Sequence, residues 1–227
     1  MNFVIESPAQ ASVAVEGSSA RFPVRRIFCV GRNYAEHARE MGKDPDREPP
    51  FFFTKPADAV CDSGAVVAYP PLTSDLHHEI ELVVAIGVEA VALPVEKALD
   101  AIWGYGVGLD LTRRDLQKLA KDMGRPWDWA KSFDMSAPCG ALRPVERGHV
   151  SSGRIALQVN GETRQQADIS NLIWSVPEVI AHCSESVKLM PGDLIFTGTP
   201  AGVGTLNQGD RLVGSIDGLS DLEILIR

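Results

Sequence analysis

Two carboxylates two positions apart, Glu79 and Glu81 in LHHEIELVVAIG, and a third, Asp110, closing the apolar, glycine-rich run from Gly104 to Leu109, are the residues whose types and spacing point first to chemistry. In an extended strand side chains alternate faces, so Glu79 and Glu81 share one face while Ile80 and Leu82 point the other way. Two readings stay open. Either the pair is the solvated side of a strand, as carboxylates most often are, or it is buried, and like charges so close then need a shared proton or a cation. Leu82 to Ile86 is apolar on both faces, so the strand runs into a core, and Asp110 ends a stretch where a lone charge is costly. Three carboxylates with room for water form an all-oxygen site that suits Mg²⁺ or Mn²⁺ better than zinc.

Other polar side chains gain interest from their place relative to these acids. In AEHAREMG, His37 and Glu40 are three apart, hence on one helix face and within reach of each other, as a surface pair or a working one. After Asp110, in LTRRDLQKLAKDMG, Arg114 and Gln117 have the same spacing and can both face the end of the strand that carries Asp110, while Arg113 and Lys121 face water. Lys55 is caught between apolar neighbours in FFFTKP, from which it can snorkel to solvent. Lys131 lies between Ala130 and Ser132 in the aromatic-rich stretch RPWDWAKSFDMSAP. In GDLIFTGTPAGVG a buried strand leads into a glycine- and threonine-rich loop containing Thr199, whose backbone N–H groups can bind a carboxylate or an oxyanion. No Gly-Lys-Ser/Thr follows, so it is not a phosphate loop.

The elements that must position these groups read as many short strands and a few helices. Residues 1–24 hold the alternating pieces SVAVEG and ARFPV, which predict an N-terminal hairpin. Arg26 to Val30 reads as a strand broken by the turn signal Gly31-Arg32-Asn33, and the helix after it stops at Gly42. KDPDREPP is charged and proline-rich, a mobile loop whose composition permits a lid. FFFTKP and the pieces up to Tyr69 predict strands, Val95 to Trp103 a short packed helix, and the segment after Leu111 another helix with Thr112 as N-cap and Gly124 as stop. RPWDWAKSFDMSAP is loop-like. LQVNGETRQ predicts a hairpin turning at Asn160-Gly161, SVPEVIAHCSESV a helix capped by Ser175 with Pro177 in its first turn, and DLEILIR a closing strand. No repeat or linker divides the chain, so one main domain over 25–227, with the hairpin as an extension, is the economical organisation.

Composition narrows the partners. With 44% hydrophobic and 23% charged residues among 227, the chain reads as an ordinary globular protein able to bury a sizeable core. A net charge of −8 argues against nucleic acid and anionic membrane surfaces. MNFVIESPAQ has no basic and apolar leader, and no apolar run approaches the ~20 residues of a membrane helix, so a cytoplasmic location is expected. Cys29, Cys61, Cys139 and Cys183 are scattered without a CxxC pair, as buried free thiols rather than ligands or disulfides. A Gly-x-Ser-x-Gly elbow and a His-Glu-x-x-His helix are both absent, which sets serine-hydrolase and zinc-protease chemistry aside.

Taken in order, CVGRNYAEHAREMG, FFFTKPADAV, LHHEIELVVAIG, GYGVGLDLTRRDLQ, GRPWDWAKSFD, VNGETRQ and GDLIFTGTPAGVG resemble the fumarylacetoacetate hydrolase family in its short acylpyruvase branch, from Arg25 onward. REPPFFFTKPADAV and HHEIELVVAIG are most similar to members that cleave fumarylpyruvate in the gentisate route of aromatic-acid catabolism. The resemblance implies a mostly β (α+β) fold, a mixed β-roll or sandwich with a few helices, assembled as a homodimer. It implies Glu79, Glu81 and Asp110 as ligands of a divalent cation, and His37 with Glu40 as the pair that activates water. Arg114, Gln117, Lys131 and Thr199 match substrate-binding or oxyanion positions, and Arg32 and Lys55 join them as candidate substrate-binding cations. Larger members carry a fourth acidic ligand where this chain has Val30, which would leave more positions open for substrate or water. The expected reaction is hydrolysis of the C3–C4 bond of a 2,4-dioxo acid. Oxaloacetate decarboxylation, hydroxymuconate-type isomerisation or tautomerisation at the same metal site, and a scaffold that binds oxo acids without turnover, are the alternatives.

Overall fold

A strand that is apolar on both sides needs cover above and below, and Ile80–Ile86 is buried throughout. In this computed structural model, which describes residues 3–40 and 48–227, the strand is paired antiparallel with Ile102–Leu109 on one side and Asp193–Phe196 on the other. Alternation sorts its side chains: Ile80, Leu82, Val84 and Ile86 enter the larger of two hydrophobic cores, Val83 and Ala85 the smaller. The sheet continues through Arg26–Gly31, parallel to Asp193–Phe196, to Phe51–Lys55 at one edge. At the other it passes through Ala137–Cys139 to Val60–Asp62.

The larger core is closed by a five-stranded sheet in the order Glu162–Asp168, Arg154–Val159, Arg211–Ile216, Leu222–Ile226 and Ala65–Val67. Helix Val176–Ser186 packs on the same core through Val179, Ile180 and Cys183. The smaller core is closed by the hairpin of Ser12–Ala14 and Arg21–Pro23, which buries Val13 and Phe22, the latter with its ring 5.0 Å from that of Trp103. The fold is thus mostly β, a curled sandwich with a few short helices, as the resemblance implies. Among the described residues no helix is long and apolar enough to cross a membrane.

Signals that depend only on neighbours in sequence are matched locally. Asn160 and Gly161 both take positive φ, +53° and +82°, as a two-residue turn between Arg154–Val159 and Glu162–Asp168 requires. Glu178 accepts a hydrogen bond from the Ser175 N–H at the start of Val176–Ser186, closing a capping box. Where distant packing decides, the structure differs from the sequence reading. Val95 to Trp103 is not one helix: Val95–Ala98 is helical, Leu99–Ala101 is a 3₁₀ turn, and Ile102 starts a strand because its backbone pairs with Ile86 and Trp103 covers Phe22. Thr112 is not an N-cap; it pairs with His77 in the short strand Thr112–Arg113, and the helix spans Arg114–Asp122. The loop-like aromatic stretch contains the helix Asp128–Lys131. Arg113 does not face water, being 7% exposed with its guanidinium 4.5 Å from the centre of the Phe133 ring. The helix that carries His37 is described over Ala35–Glu40; its expected stop at Gly42, and residues 43–47 of the expected mobile loop KDPDREPP, lie outside the described residues.

Candidate active site

The expected single strand through Glu79 is two strands, Leu76–His78 and Ile80–Ile86, which belong to different sheets. Leu76–His78 pairs with Thr112–Arg113 and Gly204–Leu206 in a three-stranded sheet of its own. Glu79 sits at the junction, and its carbonyl accepts from the Asp110 N–H at 2.9 Å, which brings the third acid alongside. Glu79, Glu81 and Asp110 are 5%, 2% and 0% exposed, and each offers an oxygen within 4.8 Å of the others. The solvated reading of Glu79 and Glu81 is therefore excluded.

Cations compensate this buried negative charge unevenly. Lys131 Nζ donates to Glu79 Oε2 at 2.9 Å, Asp110 Oδ2 at 2.6 Å and Thr112 Oγ1 at 2.6 Å, which occupies all three of its protons. Arg114 pairs with Glu79 Oε1 at 2.5 Å and donates to Gln117 Oε1 at 2.5 Å. Burial alone would raise the Glu79 carboxyl, but Lys131 and Arg114 outweigh it and hold the group well below the usual carboxylate range. Among the described residues Glu81 has a single hydrogen-bond donor close by, the Gly198 N–H at 2.7 Å; burial first, then Asp110 and Glu79, push its carboxyl well up.

Lys55 corrects an expectation. It neither snorkels nor lines the cleft: it is 2% exposed, and its ammonium donates to the carbonyls of Leu111, Lys131 and Ser136. Those carbonyls take its protons, so Asp110 Oδ1, although 2.9 Å from Nζ, is buried without a hydrogen bond. Lys55 is a counter-charge beneath the acids, not a substrate contact. An Asp110 oxygen left without a hydrogen bond, an acid whose carboxyl is pushed well up by burial and by its neighbours, and a donor set made only of oxygen together suit a divalent cation.

The acids line an open cleft of about 440 Å³ together with His37, Arg32, Arg114, Gln117, Lys131 and Thr199, so most of the residues expected from sequence do meet there. Val30, the apolar residue at the position where the resemblance implies an acid in larger relatives, lines it too. His37 is 6% exposed, with Nδ1 3.2 Å from Glu40 Oε2, and Glu40 in turn accepts from the Gly202 N–H at 3.2 Å. A carboxylate only accepts, so Nδ1 carries the proton and Nε2 is the free basic nitrogen. Glu40 stands behind His37, outside the cleft lining. Arg114, expected to be available to substrate, is engaged with Glu79 and Gln117.

Sequence reasoning missed the apolar wall, Phe51, Phe53 and Trp127, whose rings meet edge to face at 5.4 and 5.7 Å. It also missed Asn33, 0% exposed, which donates to the carbonyls of Trp174 and Thr197 and accepts from the Trp174 N–H, so that Arg32 beside it is held at φ +59° with its guanidinium 5.2 Å from the centre of the Phe51 ring. Alternation along Glu162–Asp168 was the available signal for another, Gln165, which points inward from an otherwise polar strand.

Comparison with known proteins accords with this geometry. A family model described as Fumarylacetoacetate (FAA) hydrolase C-terminal matches residues 26–227. A fumarylpyruvate hydrolase of Ralstonia sp is 45% identical over 188 residues, 82% of this chain and 98% of that protein. The oxaloacetate tautomerase YcgM of Escherichia coli (strain K12) is 42% identical over 207 residues, 90% of this chain and 94% of that protein. The crystal structure of fumarylpyruvate hydrolase from Pseudomonas aeruginosa in complex with Mn²⁺ and pyruvate superposes with a TM-score of 0.96 at 53% identity, over 99% of both chains.

Proposed function

This chain belongs to the fumarylacetoacetate hydrolase family, and we propose that it hydrolyses the C3–C4 bond of a 2,4-dioxo acid, with fumarylpyruvate as substrate and fumarate and pyruvate as products. The observation that carries the reading is His37, held by Glu40, in the wall of a cleft that also contains three buried carboxylates. The reading takes Mg²⁺ or Mn²⁺ as the ion, a cytoplasmic homodimer as the working unit and the gentisate route as the setting. It is supported by the Mn²⁺ and pyruvate in the P. aeruginosa relative and by the name of the Ralstonia one.

A divalent ion held by Glu79, Glu81 and Asp110 supplies Lewis acidity to the carboxylate and 2-oxo oxygens of the substrate. The chain's own groups do the rest. His37 Nε2 takes a proton from water while Glu40 holds Nδ1–H, general-base help worth ~10²- to 10⁴-fold. Hydroxide adds to C4, the C3–C4 bond breaks, and its electron pair stays on the pyruvate half as an enolate. Protonation at C3 gives pyruvate, and the acyl half departs as a carboxylic acid. Gln117 has its Oε1 taken by Arg114, which leaves its amide N–H groups to donate to the oxyanion at C4. Arg32, beside Phe51 in the cleft, meets the distal carboxylate. Lys131 and Arg114 hold Glu79 and Asp110 in place.

His37→Ala is expected to slow pyruvate release by at least ~10²-fold while Mn²⁺ affinity, read by calorimetry, stays within about 3-fold. Unchanged turnover would remove His37 as the base. A second reading, tautomerisation of oxaloacetate, is favoured by one observation: the tautomerase relative, at 42% identity, stands close to the hydrolase at 45%. That reaction needs an enolate but no hydroxide. If His37→Ala keeps keto–enol exchange of oxaloacetate while losing pyruvate release, the chain runs both reactions at one site.

A further inference from the structure

Gln165 stands behind the cleft wall on the strand Glu162–Asp168 and is 1% exposed. Its carboxamide is fully engaged. Oε1 accepts from the Ile80 N–H at 3.1 Å and lies 2.9 Å from His78 Nδ1, while Nε2 donates to the Pro200 carbonyl at 2.8 Å and to Thr199 Oγ1 at 2.8 Å. The orientation of this amide is dictated by its partners. A backbone N–H only donates and a carbonyl only accepts, so Ile80 and Pro200 determine which end is oxygen and which is nitrogen. Two consequences follow from that assignment. His78 carries its proton on Nδ1, and Thr199 must accept at Oγ1.

A threonine hydroxyl has one proton to give and two lone pairs that accept; toward the Gln165 N–H it can only accept, so its proton is not spent there. The one proton of Thr199 is left over, and among the described residues nothing accepts it. Thr199 is 3% exposed and lines the cleft, so the open direction for that proton is the cleft itself. Its neighbour Gly198 donates its N–H to Glu81, which places the hydroxyl beside the acid cluster, where the 2-oxo acid end of a substrate is drawn.

We propose that Gln165 is a positioning residue that makes the Thr199 hydroxyl an obligate donor to an anionic oxygen of the pyruvate half of the substrate, an inference that rests on the 2-oxo acid reading above. The gain is preorganisation: the donor is aimed before the substrate arrives. Because the same carboxamide also bonds Ile80, between Glu79 and Glu81, it fixes the distance between the Thr199 loop and the acids.

Gln165→Glu keeps the shape and inverts the logic. Ionised, the new carboxyl has no proton to give and Thr199 donates to it. Protonated, its single proton goes to the Pro200 carbonyl, which can only accept, and Thr199 again donates to the new oxygen. Either way the hydroxyl turns from the cleft. With Mn²⁺-loaded protein and pyruvate as the probe, calorimetry should show binding at least ~10-fold weaker in Gln165→Glu and in Thr199→Val, and less than about 3-fold further loss in the double variant. Mn²⁺ affinity in Gln165→Glu should not fall below wild type, whereas mere loosening of the fold would lower it. If Gln165→Glu does not accumulate folded, Gln165→Met, which lets the hydroxyl rotate, enters the same cycle with Thr199→Val. Wild-type affinity for pyruvate in the folded Gln165 variant, or losses that multiply in the double variant, would overturn the proposal. Failure of wild type to release pyruvate from acylpyruvates would sink the hydrolase reading alone, because the binding experiment requires no reaction.

Discussion

Glu81 is the residue whose charge the fold supports least. It is 2% exposed, accepts a hydrogen bond from the Gly198 N–H and faces Asp110 and Glu79, so its carboxyl is pushed up by burial and by like charge. A carboxyl raised on folding binds its proton more tightly in the native chain than in the unfolded one, so metal-free stability falls as pH rises from the ordinary carboxylate range through the raised value. Glu81→Gln removes the charge and keeps an acceptor for Gly198. We expect it to raise the melting temperature of chelator-treated protein at neutral pH, to flatten that pH dependence, and to weaken Mn²⁺ binding by at least ~10-fold. An unchanged metal titration would take Glu81 out of the site. Lys55 predicts the opposite profile. Its ammonium is buried between Asp110 and three carbonyls, so Lys55→Met should cost roughly 3 kcal/mol or more in stability. In the fraction that stays folded, KM should shift far less than the melting temperature does; a selective loss of substrate affinity would restore Lys55 as a contact.

Elements set what these residues can reach, and the turn after Asp193–Phe196 is the clearest case. Gly198 takes φ +103°, and a Cβ there would stand 2.6 Å from Asn33 Cβ. Gly198→Ala should therefore dislodge both the N–H held against Glu81 and the Asn33 anchor, costing roughly 2 kcal/mol or more and weakening metal binding as well. Gly161→Ala, at φ +82° in an open turn, should cost about 1 kcal/mol and leave activity alone, so melting curves and turnover measured on the two variants separate backbone strain from site damage. The same contrast explains what could be read from sequence. Asn160-Gly161, the Ser175 cap and the apolar run to Ile86 are local signals, and they appear where expected. The break at Glu79 was illegible, because it depends on Leu76–His78 pairing with Thr112–Arg113 and Gly204–Leu206 from elsewhere in the chain. Trp103 left its expected helix for the same reason, drawn into a strand by Ile86 and Phe22. In the cleft, residue types with a resemblance to guide them led to His37 and the acids, but no pattern could tell that Lys55 is sealed off or that Gln165 faces in.

At the scale of the whole molecule, two electrostatic fields oppose each other. The chain carries −8 overall and should repel a dianionic substrate, yet the three buried acids are matched by Lys55, Lys131 and Arg114, with Arg32 and Lys121 also lining the cleft. Adding a divalent ion to a balanced cluster leaves the cleft positive. Distance decides which field the substrate feels: at 0.1 M salt, charges beyond about 10 Å are largely screened, and those in the cleft are closer than that to the bound molecule. Attraction should therefore dominate, and kcat/KM for fumarylpyruvate should fall several-fold between roughly 0.02 and 0.5 M salt, with a smaller fall for acetylpyruvate, which lacks the distal carboxylate. A rise in kcat/KM with salt would mean that the repulsion of the −8 surface wins. An equal fall for both substrates would mean that the distal carboxylate meets no cation, and would remove Arg32 from the role given to it here.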